Sequence, residues 1–132
     1  MQENYSVQIE DFAVRHFIKT FERKYKKYWD FTLTAIIAEL ERIDKLLLTD
    51  RAETICYAGD IKIIKTKFKV AGTKESAKTS GNRCIVAWYP DKLFVHVLLV
   101  YGKTDLSGKK ETEQWKNLVR EHYPEYKDVI TI

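Results

Sequence analysis

The chain has 132 residues, of which 45% are hydrophobic and 32% are charged, and this balance indicates a globular protein with a buried core rather than a disordered chain. No apolar run approaches the roughly 18 residues that a membrane helix needs, so we expect no contact with a membrane. The polar N-terminus carries no secretion signal pattern. We therefore predict one cytoplasmic domain over residues 1–132, with residues 125–132 as a tail.

The first half of the chain predicts a strand and two helices. Apolar and polar residues alternate over residues 5–9, as is typical of a short strand, and Asp11 is a suitable cap for a helix that follows. In that helix apolar residues recur every three or four positions as far as Tyr28, and a second stripe of this kind covers residues 31–48. We expect Asp30 to separate the two helices, which then form an antiparallel hairpin.

The second half of the chain predicts three strands and one helix. Residues 50–57 are interpreted as a connection with at most a short extended piece, and strands are predicted over residues 61–70, 84–89 and 93–101. A last helix should end near His122, before a proline. The predicted order is β-α-α-β-β-β-α, an α+β fold in which the helical hairpin packs on a small, mainly antiparallel sheet.

Positive charge is concentrated in one stretch of the chain. Residues 61–83 hold seven Lys or Arg residues and one acid, a net charge of +6, whereas the whole chain carries +4. Three lysines of the first strand in this stretch (Lys65, Lys67 and Lys69) alternate with apolar residues, so we expect them to share a sheet face that is turned to solvent. A basic patch of this kind is typical of a protein that binds a polyanion.

Four segments, in order along the chain, carry a likeness to a known family. They are residues 5–12, the lysine strand, residues 80–86 (Ser-Gly-Asn-Arg-Cys-Ile-Val) and residues 97–107 (Val-Leu-Leu-Val-Tyr-Gly-Lys-Thr-Asp-Leu-Ser). Together they resemble the RelE/ParE superfamily of bacterial toxins, and most of all its HigB-type and RelE-type messenger RNA interferases. The resemblance implies a RelE-like fold, cleavage of messenger RNA bound in the ribosome, and neutralisation by a co-encoded antitoxin.

Cleavage of RNA without a metal needs a base for the 2′-hydroxyl, a cation for the phosphate and an acid for the leaving 5′-oxygen. Arg83 is the leading candidate for the cation, because a guanidinium binds phosphate through a fixed fork of donors and keeps its charge. Crowded like charges favour a neutral amine, so one of Lys67 and Lys69 is a candidate base. Because the inward residues of the strand after Arg83 do not depend on it, we expect Arg83→Ala to leave the fold stable.

The remaining candidates have supporting roles. The residues predicted to hold RNA phosphates are Lys65, Lys74 and Lys78. Tyr101 is a candidate for stacking on an RNA base, and a half-buried core position fits it equally well. Lys103 corresponds to a basic residue of the family that the chain resembles, and His122 is the candidate general acid. His96, between valines, is interpreted as a packed and hydrogen-bonded residue. No metal-ligand spacing is present, so we predict neither a metal nor a small-molecule cofactor.

Three functions remain open from the sequence. The first is a ribosome-dependent endoribonuclease toxin, whose partners are messenger RNA, the ribosome and a cognate antitoxin. The second is a ParE-like toxin that inhibits gyrase through protein contacts. The third is a RelE-fold nucleic-acid-binding protein without activity. The strand lysines together with Arg83 favour the first, because a protein binder has no use for so many cations in one place.

Overall fold

The computed structural model describes residues 4–102, 104–106 and 110–130. In chain order the elements are β1 (Ser6–Ile9), α1 (Asp11–Ala13), a π-helical segment (Val14–Ile18), α2 (Lys19–Tyr25), α3 (Lys27–Leu40), α4 (Ile43–Leu46), β2 (Ala52–Ala58), β3 (Ile61–Phe68), α5 (Ala77–Ser80), β4 (Asn82–Tyr89), β5 (Phe94–Tyr101) and α6 (Glu111–His122). Short 3-10 turns follow β4 and α6. The protein is therefore a mixed α+β structure, as predicted, and none of its described helices is long and apolar enough to cross a membrane.

The described strands form one sheet in the order β1-β5-β4-β3-β2. β1 runs parallel to β5, and the other neighbours are antiparallel. The interpretation of residues 50–57 as a connection is wrong, because β2 pairs with β3 and forms an edge of the sheet. Its side chains are mostly exposed, and the register shifts between Thr54 and Cys56. An exposed and interrupted edge strand lacks the regular apolar alternation by which strands are recognised in a sequence.

The helical hairpin covers one face of this sheet. The first helix runs without interruption from α1 to α2, and the chain turns into α3 at Lys26, whose φ is +50°. The predicted boundary at Asp30 is wrong, because Asp30 lies in the first turn of α3. The predicted single helix over residues 31–48 is likewise divided into α3 and α4. Phe21 and Trp29 stack across the turn with ring centroids 4.7 Å apart, which closes the hairpin over the sheet.

The last helix and the segment after it cover the other face of the sheet. Trp115 and Val119 of α6 are fully buried there, in a cluster with Ile63 and Ile85 of the two middle strands. The prediction that the lysine face of β3 is turned to solvent is therefore wrong for the part that lies under α6. The described part of the predicted tail, residues 125–130, packs on this face as well, through Tyr126, Val129 and Ile130.

A bulge in β5 sets which side chains face α6. Ile85 pairs with Leu99 and Val86 pairs with Val97, so Leu98 is an extra residue in β5. Leu98 and Leu99 are both buried in the cluster under α6, whereas Val97 and Val100 belong to the cluster under the hairpin. An extra residue inverts the alternation of the residues that follow it. The bulge therefore turns Tyr101 towards α6.

Candidate functional site

A row of three residues crosses the middle of the sheet near the end of β3. Lys67 of β3 pairs with Arg83 of β4, and Arg83 pairs with Tyr101 of β5. Residues directly opposite one another on neighbouring strands project from the same face, with Cβ atoms about 5 Å apart. The fold thus places the two cations, Lys67 and Arg83, side by side, and we refer to these two residues as the cation pair.

The first residue of α6 lies over this row. Glu111 Oε2 accepts a hydrogen bond of 2.8 Å from the Tyr101 hydroxyl and lies 3.4 Å from Lys65 Nζ. The Lys65 side chain is only 16% exposed, so much of its charge is balanced by a carboxylate of the protein itself. Sequence reasoning missed Glu111. Its only signal is an acid in the first turn of a helix, a position where acids are common because they complement the helix dipole.

Tyr101 is part of the core rather than of an exposed surface. Its side chain is fully buried. Burial raises the pKa of the Tyr101 phenol far above its ordinary value, and the hydrogen bond to Glu111 raises that pKa further. The phenol therefore stays neutral and acts as a donor. Because the ring offers no face to solvent, stacking on an RNA base is incompatible with this conformation, and the core interpretation is the one that fits.

Arg83 is held in place by backbone carbonyls. Its Nη1 donates to the carbonyls of Asn82 (2.8 Å) and Ala77 (3.2 Å), and its Nη2 donates to that of Lys78 (3.1 Å). The last two belong to α5, a four-residue helix whose final carbonyls lack helical partners. These bonds use three of the five N–H donors of a guanidinium. The guanidinium thus links α5 to β4, a structural contact that the expectation of a stable Arg83→Ala variant did not include; that expectation stays a prediction.

The remaining candidate lysines lie around the end of β3 that carries the cation pair: Lys69, a candidate base, and Lys74 and Lys78, predicted to bind phosphates. Lys69 is exposed just beyond the end of β3, and it lines a cleft with Phe31 of α3 and Ala77 of α5. Lys74 and Lys78 are exposed in the segment between β3 and β4. The structure thus pairs Lys67 with Arg83 of the next strand, and Lys69 belongs to the side of the sheet that faces the hairpin.

His122 does not join this cluster. It ends the 12-residue helix α6, which begins over the row at Glu111, so a length of about 18 Å separates the two ends. The His122 ring instead stacks on Phe12 with centroids 3.8 Å apart. A general acid must lie within hydrogen-bonding reach of the leaving oxygen, so His122 is not placed to protonate a group at the cation pair. Lys103, the other predicted catalytic residue, lies outside the described residues.

A second polar cluster joins β5 to the C-terminal segment. His96 Nε2 contacts the Glu10 carboxylate, and its Nδ1 lies 3.2 Å from the Tyr126 hydroxyl. That hydroxyl lies 2.6 Å from the Tyr89 hydroxyl. Burial raises the pKa of Tyr126, and its hydrogen bond with Tyr89 adds to the effect. The interpretation of His96 as a packed and hydrogen-bonded residue is confirmed.

Among the residues that the structure describes, no group of three or more His, Cys, Asp or Glu side chains is arranged to hold a metal ion. Comparisons with protein-family models, with curated proteins and with solved structures find no match to this chain. The resemblance to RelE-type toxins therefore stays a prediction. Function has to be argued from the cation pair, Glu111 and the charges around them.

Proposed function

We propose that the protein is the toxin of a type II toxin–antitoxin system and that it cleaves messenger RNA bound in the ribosome without a metal. The observation that carries the proposal is the cation pair, which lies in register on one sheet face next to the Glu111 carboxylate. The concentration of Lys and Arg in residues 61–83 and the sequence resemblance support it. Such a protein acts in the cytoplasm, where ribosomes translate.

The cation pair and Glu111 have the chemical types that the reaction requires. We assign phosphate binding to Arg83, because its carbonyl bonds fix the guanidinium before substrate arrives, and a preorganised cation stabilises the added charge of the transition state. Glu111 is the carboxylate beside this row and is assigned as the base that removes the 2′-hydroxyl proton. Lys67 is assigned as the acid, since it pairs directly with Arg83.

The proton and bond changes of this reaction balance within the RNA and the three side chains. Glu111 takes the proton of the 2′-hydroxyl, and the 2′-oxygen forms a bond to phosphorus. The bond from phosphorus to the 5′-oxygen breaks, and Lys67 gives a proton to that oxygen. The products are a 2′,3′-cyclic phosphate and a 5′-hydroxyl. Proton transfer from Glu111 to Lys67 then restores both groups, so no external reactant is needed.

A nucleic-acid-binding protein without activity is the second candidate. It is favoured by two contacts already described: Arg83 donates to three backbone carbonyls, and Glu111 is engaged with Lys65 and Tyr101. Both contacts would stabilise the fold even if the protein catalysed no reaction. In this case the cations would position RNA phosphates and nothing would be cleaved.

Induced expression in cells separates these functions. The proposal predicts that synthesis of this protein arrests incorporation of labelled amino acids within minutes and that new 5′-hydroxyl ends appear in messenger RNA. A variant with Lys67→Ala and Arg83→Ala should do neither, while Lys19→Ala, a change at an exposed lysine of α2, should behave as the wild type does. Continued translation with gyrase-cleaved DNA would support the ParE-like alternative. Continued translation with RNA bound but intact would support the inactive binder.

The same proposal implies a partner protein, the antitoxin. A toxin of this kind is neutralised by a co-encoded antitoxin, and a basic surface is commonly masked by an acidic segment that folds on binding. We expect a short acidic reading frame beside this gene, whose product relieves the arrest. Co-expression of the two frames tests this, and arrest that persists in the presence of the neighbouring product would count against the pairing.

A further inference from the structure

The turn between α2 and α3 forms a second basic surface, which we call the hairpin tip (residues 23–28, Arg-Lys-Tyr-Lys-Lys-Tyr). These six residues hold four cations and no acid. All four cationic side chains are exposed. The hairpin tip lies outside the basic stretch of residues 61–83. The hairpin tip also carries two aromatic residues, Tyr25 and Tyr28.

Two lysines of the hairpin tip each lie beside a tyrosine ring, an arrangement found in proteins that bind nucleic acid. Lys24 Nζ lies 5.2 Å from the ring centroid of Tyr25, and Lys27 Nζ lies 5.7 Å from that of Tyr28. The Tyr28 ring is 46% exposed, although a ring of this size is usually covered. An ammonium beside an exposed aromatic face provides both a phosphate contact and a platform on which a base can stack.

The backbone at the hairpin tip has a strained conformation at Lys26. Lys26 has φ +50° and ψ −120°, a conformation that glycine adopts readily and other residues rarely do. Glycine at this position would remove the strain, yet the chain carries a cation. Strained residues that persist in a structure are concentrated at functional positions.

The hairpin tip contacts the segment between β3 and β4. The Tyr28 ring packs on Gly72, where an added Cβ would lie 3.1 Å from Tyr28 Cε1, so it touches the segment that carries Lys74 and Lys78. A cleft between the first helix and the sheet is lined by Lys24 and Tyr25 on one side and by Ser80 and Asn82 on the other, and the carboxylates of Glu75 and Asp105 line it as well. This cleft lies on the hairpin side of the sheet, whereas the cation pair lies on the face under α6.

We propose that the hairpin tip binds a single-stranded stretch of RNA, with Lys24, Lys26 and Lys27 on phosphates and a base stacked on Tyr28. The bound strand would continue along the segment between β3 and β4, which carries Lys74 and Lys78. The inference rests on the proposed function for what happens at the cation pair, but binding at the hairpin tip needs no cleavage. An anionic membrane is the other partner that basic and aromatic residues can attract. RNA is favoured, since the hairpin tip holds no aliphatic side chain of the kind that anchors a helix in a lipid layer, whereas its lysines and tyrosines offer phosphate contacts and base stacking.

The test is equilibrium binding of a fluorescent 15-nucleotide 2′-O-methyl RNA, which cannot be cleaved by attack of a 2′-hydroxyl. Each phosphate contact adds about 0.7 to the slope of log affinity against log salt concentration for a single strand. Lys24→Ala with Lys27→Ala should therefore lower the slope by about 1.4 and the affinity in 0.1 M salt by about 25-fold. The control is Lys92→Ala with Lys127→Ala. Lys92 lies over Tyr89 at 5.9 Å, which makes it a matched lysine–tyrosine pair beyond the far end of β4.

Two further variants separate binding from folding. Lys26→Gly should weaken RNA binding about fivefold without lowering the melting temperature, because it removes a charge and the strain together. Tyr28→Phe should bind as the wild type does, and Tyr28→Leu should bind about tenfold more weakly, because only the former keeps an aromatic face. Equal affinities for the wild type and the Lys24/Lys27 variant, with the control unchanged, would overturn the proposal.

Two other outcomes separate RNA binding at the hairpin tip from membrane binding and from failure of the proposed cleavage. If the Lys24/Lys27 variant loses binding to phosphatidylglycerol vesicles but keeps its affinity for RNA, the surface is a membrane contact and the RNA proposal is wrong. Failure of the proposed function would give a different result: no cleavage by the wild-type protein, with RNA binding still dependent on the hairpin tip. If cleavage is observed, the Lys24/Lys27 variant should raise KM and leave kcat unchanged.

Discussion

Replacement of Glu111 by alanine should destabilise the protein by about 2–4 kcal/mol. The Tyr101 side chain is fully buried, and its hydroxyl donates to Glu111. A buried hydroxyl that loses its partner costs about 1–3 kcal/mol. Lys65, whose side chain is 16% exposed, loses its carboxylate in the same variant, and we assign about 1 kcal/mol to that loss, because the pair is only partly shielded from water. The two contributions give the expected range.

Urea unfolding followed by tryptophan fluorescence measures this effect. The set consists of the wild type, Glu111→Ala, Tyr101→Phe and the double variant, with Glu113→Ala as the control, because Glu113 is an exposed acid in the same helical turn. The control should cost less than about 1 kcal/mol. Glu111 and Tyr101 should show a coupling energy of about 1–2 kcal/mol. A Glu111→Ala variant as stable as the control, or a coupling near zero, would refute the reasoning.

Three more predictions concern stability. Gly72→Ala should cost about 1–3 kcal/mol in urea unfolding, since Gly72 has φ +84° and a Cβ there would press on the Tyr28 ring; an unchanged midpoint would contradict this. Stability should fall from about pH 9 upwards, because burial raises the pKa of Cys84 from 9.0 to about 12, and a group with a raised folded-state pKa stabilises fully only below its unfolded value. Above pH 10.0 the fall should steepen, as burial raises the pKa of three tyrosines, Tyr101, Tyr123 and Tyr126. Melting temperatures measured between pH 8 and 11 test this, with a shallower fall expected for Tyr126→Phe. Removal of residues 123–132 should abolish cooperative unfolding, because Tyr123, Tyr126 and Val129 are buried under the sheet; a sharp thermal transition in that variant would be the contrary result.

The elements whose apolar residues recur at a regular spacing were predictable from the sequence. β3, β4 and β5 lie where long apolar or alternating runs predicted them, because a strand buried on a face must place apolar residues at every second position. The helical hairpin was predictable for the same reason. Its internal boundaries were not, since the break at Lys26 depends on a strained backbone conformation for which the residue type gives no signal.

The candidate site was predictable only in part. The two strands that carry Lys67 and Arg83 were predicted from the sequence, whereas their pairing in register is known only from the structure. Glu111 could not be identified, because its place over the row depends on how α6 crosses the sheet, and the sequence of α6 does not encode that angle locally. The same crossing carries His122 away from the row. The contacts of the site that join elements far apart in the chain therefore could not be predicted from the sequence.

The proposed cleavage of RNA at the cation pair is tested most directly by the single-turnover rate at which purified protein cuts a message on a programmed ribosome. The wild type should cut, with products that end in a 5′-hydroxyl. Arg83→Ala should cut about 10²–10³ times more slowly, because it loses the cation on the transition-state phosphate. Since Arg83 also donates to three carbonyls, the melting temperature of this variant has to be recorded, and the comparison made well below it. A folded Arg83→Ala variant that cuts within about threefold of the wild type would contradict the account.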